Sequence, residues 1–309
     1  MDTFYKYTRY FGISYLDNPT IKISTPYYLN DPFEGETGDN LITVVEQMTV
    51  ENNNNMHRDA IKLALNSLVN LSGIFSVSET PRNPLMWAHY GDQHKGLCIG
   101  INKDVFEGMR DSKLNKKDNV YISEFSPVKI NYDNYRFDRQ TKIKNDEDLK
   151  KAVRTHLLTK SDEWIYEKEH RCILPFIFAT HIKIDEKAEH VSYLKLEAKL
   201  TNVLNALKLE GKITEDNNNT YIINDGIDES DIWMLSSFYS VSFLYEIDPK
   251  YINNIYIGLR VSKQEVKSIH SKIKNSERLS HIKLFKFRLS SKRFELLPDV
   301  INDEYFQVK

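Results

Sequence analysis

Short apolar runs alternate with stretches of helical periodicity along this chain of 309 residues. Residues 56–71 carry apolar side chains at the three- and four-residue spacing that predicts an amphipathic helix. The same spacing predicts helices at residues 41–49, 146–158, 190–209 and 263–274. Runs rich in β-branched and aromatic residues predict strands at residues 21–24, 73–78, 96–101, 128–132, 170–178, 252–259 and 281–289. Because helices and strands mix without regular alternation, we predict an α+β fold on a mostly antiparallel or split sheet.

Local turn signals add two details to this pattern. Ser262, with Glu265 three residues later, is typical of a capped helix N-terminus. An asparagine-rich loop at residues 217–219 lies between two β-type arms, at 212–214 and 221–223. This arrangement predicts a hairpin.

The composition is that of a globular protein. Hydrophobic residues make up 40% and charged residues 28% of the chain, which is far from the signature of disorder. No composition break divides it, so we interpret residues 1–309 as one domain with an insertion at about 180–245. No apolar signal sequence is visible, and the apolar run at 172–179 is too short to span a bilayer. We therefore predict a cytoplasmic protein without a membrane partner.

Positive charge is concentrated near the C-terminus although the net charge is only −2. Residues 260–293 contain eleven lysines and arginines against two glutamates, a surplus of nine. Such a segment favours either a surface that binds polyanions or a solvated helix face.

The first candidate motif is NDPFE at residues 30–34. Asn-Asp-Pro is turn chemistry, because Asn and Asp side chains fold back on the backbone and proline fixes φ. The turn does not explain why Asp31 and Glu34 flank an aromatic residue. Loops of this kind often bind ligands, so Asn30 and Asp31 are candidate binding residues, and a purely structural turn is the alternative.

The second motif, LMWAHYGDQHKG, is dense in side chains that stack on rings or hydrogen-bond amides. His89 and His94 are five residues apart, whereas a zinc-binding helix needs a spacing of four. We therefore predict hydrogen-bonding or packing roles for them and no metal site. Trp87 and Tyr90 are candidates for stacking on a ligand, with core packing as the alternative for Trp87.

The third motif, WIYEKEHR, leads into an apolar strand. In an extended backbone the period of two places Glu167, Glu169 and Arg171 on one face. Two carboxylates and an arginine together form a site-like cluster, and a salt-bridged strand edge is the alternative. We predict that the three motifs meet in one cleft, with Tyr90 or His94 near Glu169.

These motifs occur together with FYKY at residues 4–7 and IYIG at residues 255–258. In this combination and order the chain resembles a large bacterial family of unknown function, over about residues 4–260. Members of that family recur in phage-defence and abortive-infection settings. The resemblance implies a toxin or immune effector, with an antitoxin protein as the partner of a toxin, but it implies no reaction.

A second resemblance concerns the reaction. Ser161 followed by EKEHRCILP is similar to the Ser…Glu-x-Glu…Leu-Pro segment of ADP-ribosyltransferases, in which the second glutamate is catalytic. The opening strand and the NDPFE loop look like the NAD-binding start of the DarT-like branch. Those folds usually place His or Arg in the first strand, where this chain offers Lys6, Tyr5 or Arg9.

The resemblance implies an ADP-ribosyltransferase-like split mixed or antiparallel sheet core with flanking helices, and NAD as co-substrate. Glu169 would stabilise the positive charge that develops on the ribose when the nicotinamide bond breaks. Glu167 would orient or deprotonate the acceptor. The implied NAD-binding residues are Tyr5, Lys6, Tyr7, Asn30, Asp31, Trp87, His89, Tyr90, His94, Ser161 and Arg171.

RNA is the predicted acceptor. The basic segment interleaves cations with aromatic residues, as single-stranded nucleic acid binders do, and the residues concerned are Lys283, Lys286 and Arg288 with Phe285, Phe287 and Phe294. Two other functions remain open. A nuclease effector would gather a divalent cation on four carboxylates, those of Asp31, Glu34, Glu167 and Glu169. A non-catalytic sensor or adaptor would use the aromatic cluster for binding alone.

Overall fold

The computed structural model describes residues 2–52, 56–107, 122–137, 142–185, 194–217 and 219–307, and only the backbone at 194–198. The strands are β1 Thr3–Thr8, β2 Thr20–Ile23, β3 Ser72–Ser78, β4 Leu97–Asn102, β5 Glu124–Lys129, β6 Asn131–Tyr132, β7 Thr159–Lys160, β8 Glu169–Pro175, β9 His181–Ile184, β10 Ile213–Glu215, β11 Thr220–Ile223, β12 Val241–Glu246, β13 Ile252–Ile257, β14 Lys283–Leu289 and β15 Leu296–Val300. The α-helices are α1 Asp39–Glu51, α2 Arg58–Asn70, α3 Pro84–His89, α4 Asp146–Leu157, α5 Leu194–Leu209, α6 Glu229–Ser236 and α7 Lys263–Lys274.

The largest sheet has eight strands in the order β15-β14-β13-β4-β1-β3-β8-β5. Neighbouring strands of this sheet are antiparallel except β13 and β14, which run parallel because α7 connects them. A second, antiparallel sheet has the order β10-β11-β9-β12-β2, and β6 pairs with β7 in a short parallel ladder. The predicted α+β class and the predominance of antiparallel pairing are confirmed.

The two larger sheets share one hydrophobic core. Side chains of the large sheet, such as Phe75, belong to the same buried cluster as Ile182 and Phe243 of the second sheet. Phe176 lies at their junction, with its ring centroid 4.4 Å from that of Phe243. The segment predicted as an insertion supplies β9 to β12, and β2 from the N-terminal region completes their sheet.

Several predicted elements are confirmed closely. Helix α7 begins after a capping box in which Ser262 and Glu265 bond each other's backbone N–H groups. The hairpin forms as β10 and β11, although residue 218 of its predicted loop lies outside the described residues. Residues 190–193 of the predicted helix at 190–209 also lie outside the described residues.

Two strand predictions were too long. The run at 170–178 becomes β8 and then a 3-10 turn at Phe176–Phe178, since its last residues turn towards the second sheet. The run at 128–132 is divided between β5 and β6. Among the described residues, no helix is long and apolar enough to cross a membrane.

Candidate functional site

A left-handed residue brings the two glutamates of WIYEKEHR together. Asp162–Glu167 forms a 3-10 turn, Lys168 follows with a φ of 48°, and β8 starts at Glu169. The predicted extended lead-in is therefore wrong, because Glu167 belongs to the turn. Both glutamates are nevertheless buried in the same pocket wall.

Three polar contacts hold this turn in place. The Ser78 hydroxyl donates to the Glu167 carbonyl at 2.7 Å, and the Asn83 amide donates to the Tyr166 carbonyl at 2.6 Å. The backbone N–H of Glu169 donates to the Tyr132 hydroxyl at 2.7 Å. Strands β3 and β6 and the N-cap residue of α3 thus fix the backbone that carries both glutamates.

Arg171 is the first of two buried cations that bind these carboxylates, and it is only 1% exposed. It donates to both carboxylate oxygens of Glu169, at 2.7 and 3.1 Å, and its Nη2 lies 2.7 Å from Glu34 Oε2. Its remaining terminal nitrogen donates to the Leu157 carbonyl at 2.7 Å. The bidentate geometry is the one that a guanidinium forms best with a carboxylate.

Lys160 is the second buried cation, and no pattern in the sequence singled it out. Its Nζ lies 2.7 Å from Glu167 Oε2, 3.2 Å from Glu169 Oε2 and 3.4 Å from Glu34 Oε1. The ammonium also lies 4.6 Å from the centroid of the Trp164 ring. One lysine at the end of β7 therefore connects the NDPFE loop with both glutamates of the third motif.

The five charges of this cluster strongly affect one another. Burial alone would raise the pKa of Glu169, but Arg171 and Lys160 lower it to about 2. Burial likewise opposes the charged form of Lys160, yet the three carboxylates raise its pKa above the usual range. For Glu34 burial prevails over both cations, and its pKa is raised. Glu169 and Lys160 thus form a stable buried ion pair at neutral pH.

Two hydrogen bonds hold the NDPFE loop in position, one within the loop and one to His156. Asp31 Oδ1 accepts from the backbone N–H of Phe33 at 3.0 Å, which confirms the predicted turn chemistry. The Nε2 atom of His156 lies 3.1 Å from the backbone carbonyl oxygen of Glu34. Because burial lowers the pKa of His156 to about 4, the imidazole is neutral at pH 7 and donates this hydrogen bond.

A pocket of about 190 Å3 lies over this cluster. Tyr90 spans it: its hydroxyl donates to Glu167 Oε1 at 2.6 Å, and its side chain also hydrogen-bonds Asn30. The three motifs therefore meet in one cleft, as predicted. The predicted site residues that line the pocket are Tyr5, Lys6, Tyr7, Asn30, Tyr90, Glu167, Glu169 and Arg171, joined by Glu34, Lys160, Tyr28 and Met86 among others.

Lys6 lies on β1, separated from β8 by one strand, and lines the same pocket. Its Nζ donates to the Ser76 carbonyl at 3.0 Å and lies 5.1 Å from the centroid of the Phe75 ring. Burial lowers the pKa of Lys6 to about 8, although Glu169 and Glu167 oppose this shift.

Other predicted NAD-binding residues are not part of the pocket lining. Asp31 is buried in its turn, and Ser161 caps the 3-10 turn through the N–H of Glu163. His89 is exposed at the end of α3. Tyr7, by contrast, lines the pocket with its ring, but its hydroxyl already donates to the Thr80 carbonyl at 2.7 Å.

The predicted stacking of Trp87 on a ligand is wrong, because Trp87 is 0% exposed. Its indole N–H donates to the Pro81 carbonyl at 2.8 Å, and its ring packs edge-on against Tyr7 and Phe287. The His94 ring stacks on Trp87, 6.3 Å between centroids, and is not part of the lining. These side chains form the support of the pocket.

The loop that carries His94 explains the glycine of the IYIG motif. Residues Asp92, Gln93 and His94 all have positive φ angles. The turn they form contacts the segment that follows β13, where the backbone N–H of Arg260 donates to the His94 carbonyl at 2.9 Å. A Cβ atom at Gly258 would lie only 2.3 Å from the His94 carbonyl oxygen. Only glycine permits this close approach.

The predicted acceptor surface is partly wrong. Lys286 is half-buried and donates to the carbonyls of Gly258, Leu259 and Val261 at 2.6, 3.1 and 2.9 Å, so it is a structural residue. Phe287 is buried in the core, where it cannot stack on a base. The exposed residues of this surface are Lys283, Phe294 and Arg288, which pairs with Asp299 at 3.0 Å.

Part of the chain is similar to a protein family whose function is unknown, as the sequence motifs predicted. A family described as a protein of unknown function (DUF2971) matches residues 86–172. The match includes most of the second motif, the whole of the third and the buried cation Lys160, but neither Lys6 nor Glu34. No curated protein and no solved structure matches the chain.

Proposed function

We propose that this protein is an NAD-dependent ADP-ribosyltransferase that acts as a phage-defence or toxin effector. The observation that carries the proposal is the meeting of Lys6 and Glu169 across β3. Tyr5 pairs with Ser78, and Ser78 pairs with Glu169, so the first strand and the Glu-x-Glu segment are separated by one strand. The resemblance to ADP-ribosyltransferases requires these two segments, far apart in sequence, to face one NAD molecule.

The pocket suits one end of a dinucleotide. Its volume of about 190 Å3 is smaller than the roughly 300 Å3 at which pockets for drug-sized ligands begin. Only the nicotinamide and part of its ribose would be enclosed, and the remaining phosphates and adenosine would lie outside. Tyr5, Tyr28 and Tyr90 offer aromatic rings for the nicotinamide.

The two glutamates have different hydrogen-bond partners, and this difference suggests different roles. Cleavage of the nicotinamide bond builds positive charge on the ribose, which a carboxylate stabilises best where water is excluded. Arg171 and Lys160 engage both oxygens of Glu169. Glu167 instead shares one oxygen with the Tyr90 hydroxyl, a partner that a ribose hydroxyl can replace. We therefore assign the ribose contact to Glu167, while the resemblance favours Glu169.

The decisive experiment follows labelled NAD. Purified protein is incubated with the label and total cell extract, and nicotinamide release and label in protein, RNA and DNA are measured. We expect Glu167→Gln to lower the rate about 100-fold or more. Glu163→Gln is the matched control, because Glu163 is an exposed residue of the same 3-10 turn and lies outside the pocket lining.

The outcomes are separable. Loss of activity in Glu169→Gln alone, with both variants folded, would return the catalytic role to Glu169. Wild-type protein that neither releases nicotinamide nor transfers label would refute the enzyme proposal.

A metal-dependent nuclease is less well supported by the cluster. The Lys160 ammonium occupies the position between Glu34, Glu167 and Glu169 where a cation would bind. Within the described residues, no group of three or more His, Cys, Asp or Glu side chains is arranged to hold a metal ion. Lys160 and Arg171 already compensate two of the three carboxylate charges.

RNA remains our proposed acceptor, with a smaller surface than the sequence predicted. Strand β14 lies three places from β1 in the sheet, which corresponds to roughly 14 Å at the usual strand spacing. Lys283 and Arg288 are exposed on it. A phosphate backbone bound there would bring neighbouring nucleotides within reach of the pocket.

A further inference from the structure

Lys6 differs from the two other cations of the pocket in its partners. Lys160 and Arg171 are each surrounded by carboxylate oxygens. Lys6 donates to the Ser76 carbonyl and makes no ion pair with a carboxylate among the residues that the structure describes. Its amine lies in the pocket lining, half-buried beside the Phe75 ring.

We infer that Lys6 is a carbonyl-reactive amine, a covalent site for small aldehydes such as sugar aldehydes. The lone pair of the neutral amine attacks the carbonyl carbon, and one proton passes from the nitrogen to the former carbonyl oxygen, which gives a carbinolamine. The hydroxyl group then takes up a second proton and leaves as water, the nitrogen loses its second proton, and a C=N bond replaces the C=O bond. The step needs no oxidant or reductant, because an imine and a carbonyl have the same oxidation level.

The surroundings of Lys6 favour the neutral amine that this reaction requires. Burial and the charge of Lys22 lower its pKa, Glu169 and Glu167 raise it, and the balance is about 8. At pH 7 the neutral fraction is about 300 times larger for an amine of pKa 8 than for an ordinary lysine. Desolvated lysines of this kind are the ones that form Schiff bases in enzymes.

The size of the pocket and the proposed function indicate the ligand. A pocket of about 190 Å3 admits a short sugar aldehyde. If the protein cleaves NAD, as proposed above, hydrolysed ADP-ribose carries a masked aldehyde at the former nicotinamide carbon, and its open form would present that carbon to Lys6. Capture of this product would slow turnover when water replaces the intended acceptor.

The test uses the whole wild-type protein, glyceraldehyde as the probe and cyanoborohydride to trap the imine at pH 7. Peptide mass spectrometry then measures the modified fraction of each lysine. Lys286 is an internal control, because burial also lowers its pKa to about 8 while three backbone carbonyls hold its ammonium. We expect Lys6 to react at least tenfold faster than Lys286 and the exposed Lys283.

A midpoint near pH 8 in the labelling rate of Lys6 would support the inference. Equal labelling of Lys6 and Lys283, or no adduct on Lys6 between pH 7 and 9, would overturn it. Adding NAD separates the two proposals. Protection of Lys6 by NAD supports both, whereas fast labelling that NAD does not slow keeps the reactive amine and contradicts NAD binding in this pocket.

Discussion

The two ends of the eight-stranded sheet hold positive charge in opposite ways. Around β1, β3 and β8, the buried cations Lys160 and Arg171 are bound to carboxylates from distant parts of the chain. On β14, next to the edge strand β15, Lys286 is bound to backbone carbonyls, while Lys283 and Arg288 face solvent. The candidate site therefore coincides with buried, mutually paired charges and not with the segment of highest charge density in the sequence.

The largest expected effect concerns Arg171. Arg171→Met leaves Glu169 and Glu34 without their main partner inside the protein, which should cost about 3 to 5 kcal/mol in the free energy of unfolding. Arg288→Met is the control, because its exposed pair with Asp299 should contribute less than about 1 kcal/mol. Urea denaturation of both variants measures the difference. Equal losses would show that the buried pairs are no stronger than the surface pair.

Acid should weaken the same end of the sheet. The pKa of Glu169 is about 2 in the folded protein against an ordinary 4.5, so its stabilisation is complete above pH 4.5 and is lost as the pH falls towards 2. The effect is on the order of 3 kcal/mol. Glu34 acts with the opposite sign, because its pKa is raised. The free energy of unfolding of Glu169→Gln should therefore fall less steeply than that of wild type between pH 4.5 and 2, and parallel curves would contradict this.

Lys286 gives a smaller effect at the other end. Lys286→Met removes the donor of three backbone carbonyls, and we expect a loss of about 1 to 3 kcal/mol. Lys283→Met should change stability by less than about 0.5 kcal/mol, as an exposed substitution usually does. Thermal unfolding of the two variants distinguishes a structural lysine from a surface one. If Lys283→Met is the more harmful change, the structural role of Lys286 is wrong.

The smallest expected effect tests the RNA surface. Replacing Lys283 and Arg288 with Glu should weaken RNA binding several-fold and flatten its dependence on salt, since fewer counterions are released. Nicotinamide release should stay at the wild-type rate because neither residue lines the pocket. Binding titrations from 50 to 300 mM salt provide the measurement. An unchanged salt slope would leave Lys283 and Arg288 as solvated charges without a role in RNA binding. The predicted role of these charges in preventing edge pairing is wrong, because β14 is paired on both sides, with β13 and β15.

Local patterns in the sequence were sufficient for much of the fold. The capping box of α7, the hairpin of β10 and β11 and the α+β class all depend on contacts between residues near each other in the chain. The acidic turn at Asp31 belongs to the same group. These features are readable because turn chemistry and periodicity act over a few residues.

Sequence patterns alone were enough to single out Glu167, Glu169, Arg171 and Tyr90, which line one pocket, but the partners of these side chains depend on the tertiary structure. Lys160 joins the cluster because β7 pairs with β6, and Glu34 joins because His156 holds its loop. The residue types in a sequence do not show which side chains are buried from solvent on folding.

Trp87 and Lys286 are the clearest examples of that limit. Both have the residue type of a binding site, yet the first is enclosed in the core and the second is held by carbonyls. Lys6 is the reverse case, an ordinary lysine in sequence whose pKa is lowered by burial beside Phe75. Burial and pairing are set by segments distant in the chain, and they determine whether a charged or aromatic side chain supports the fold or faces a ligand.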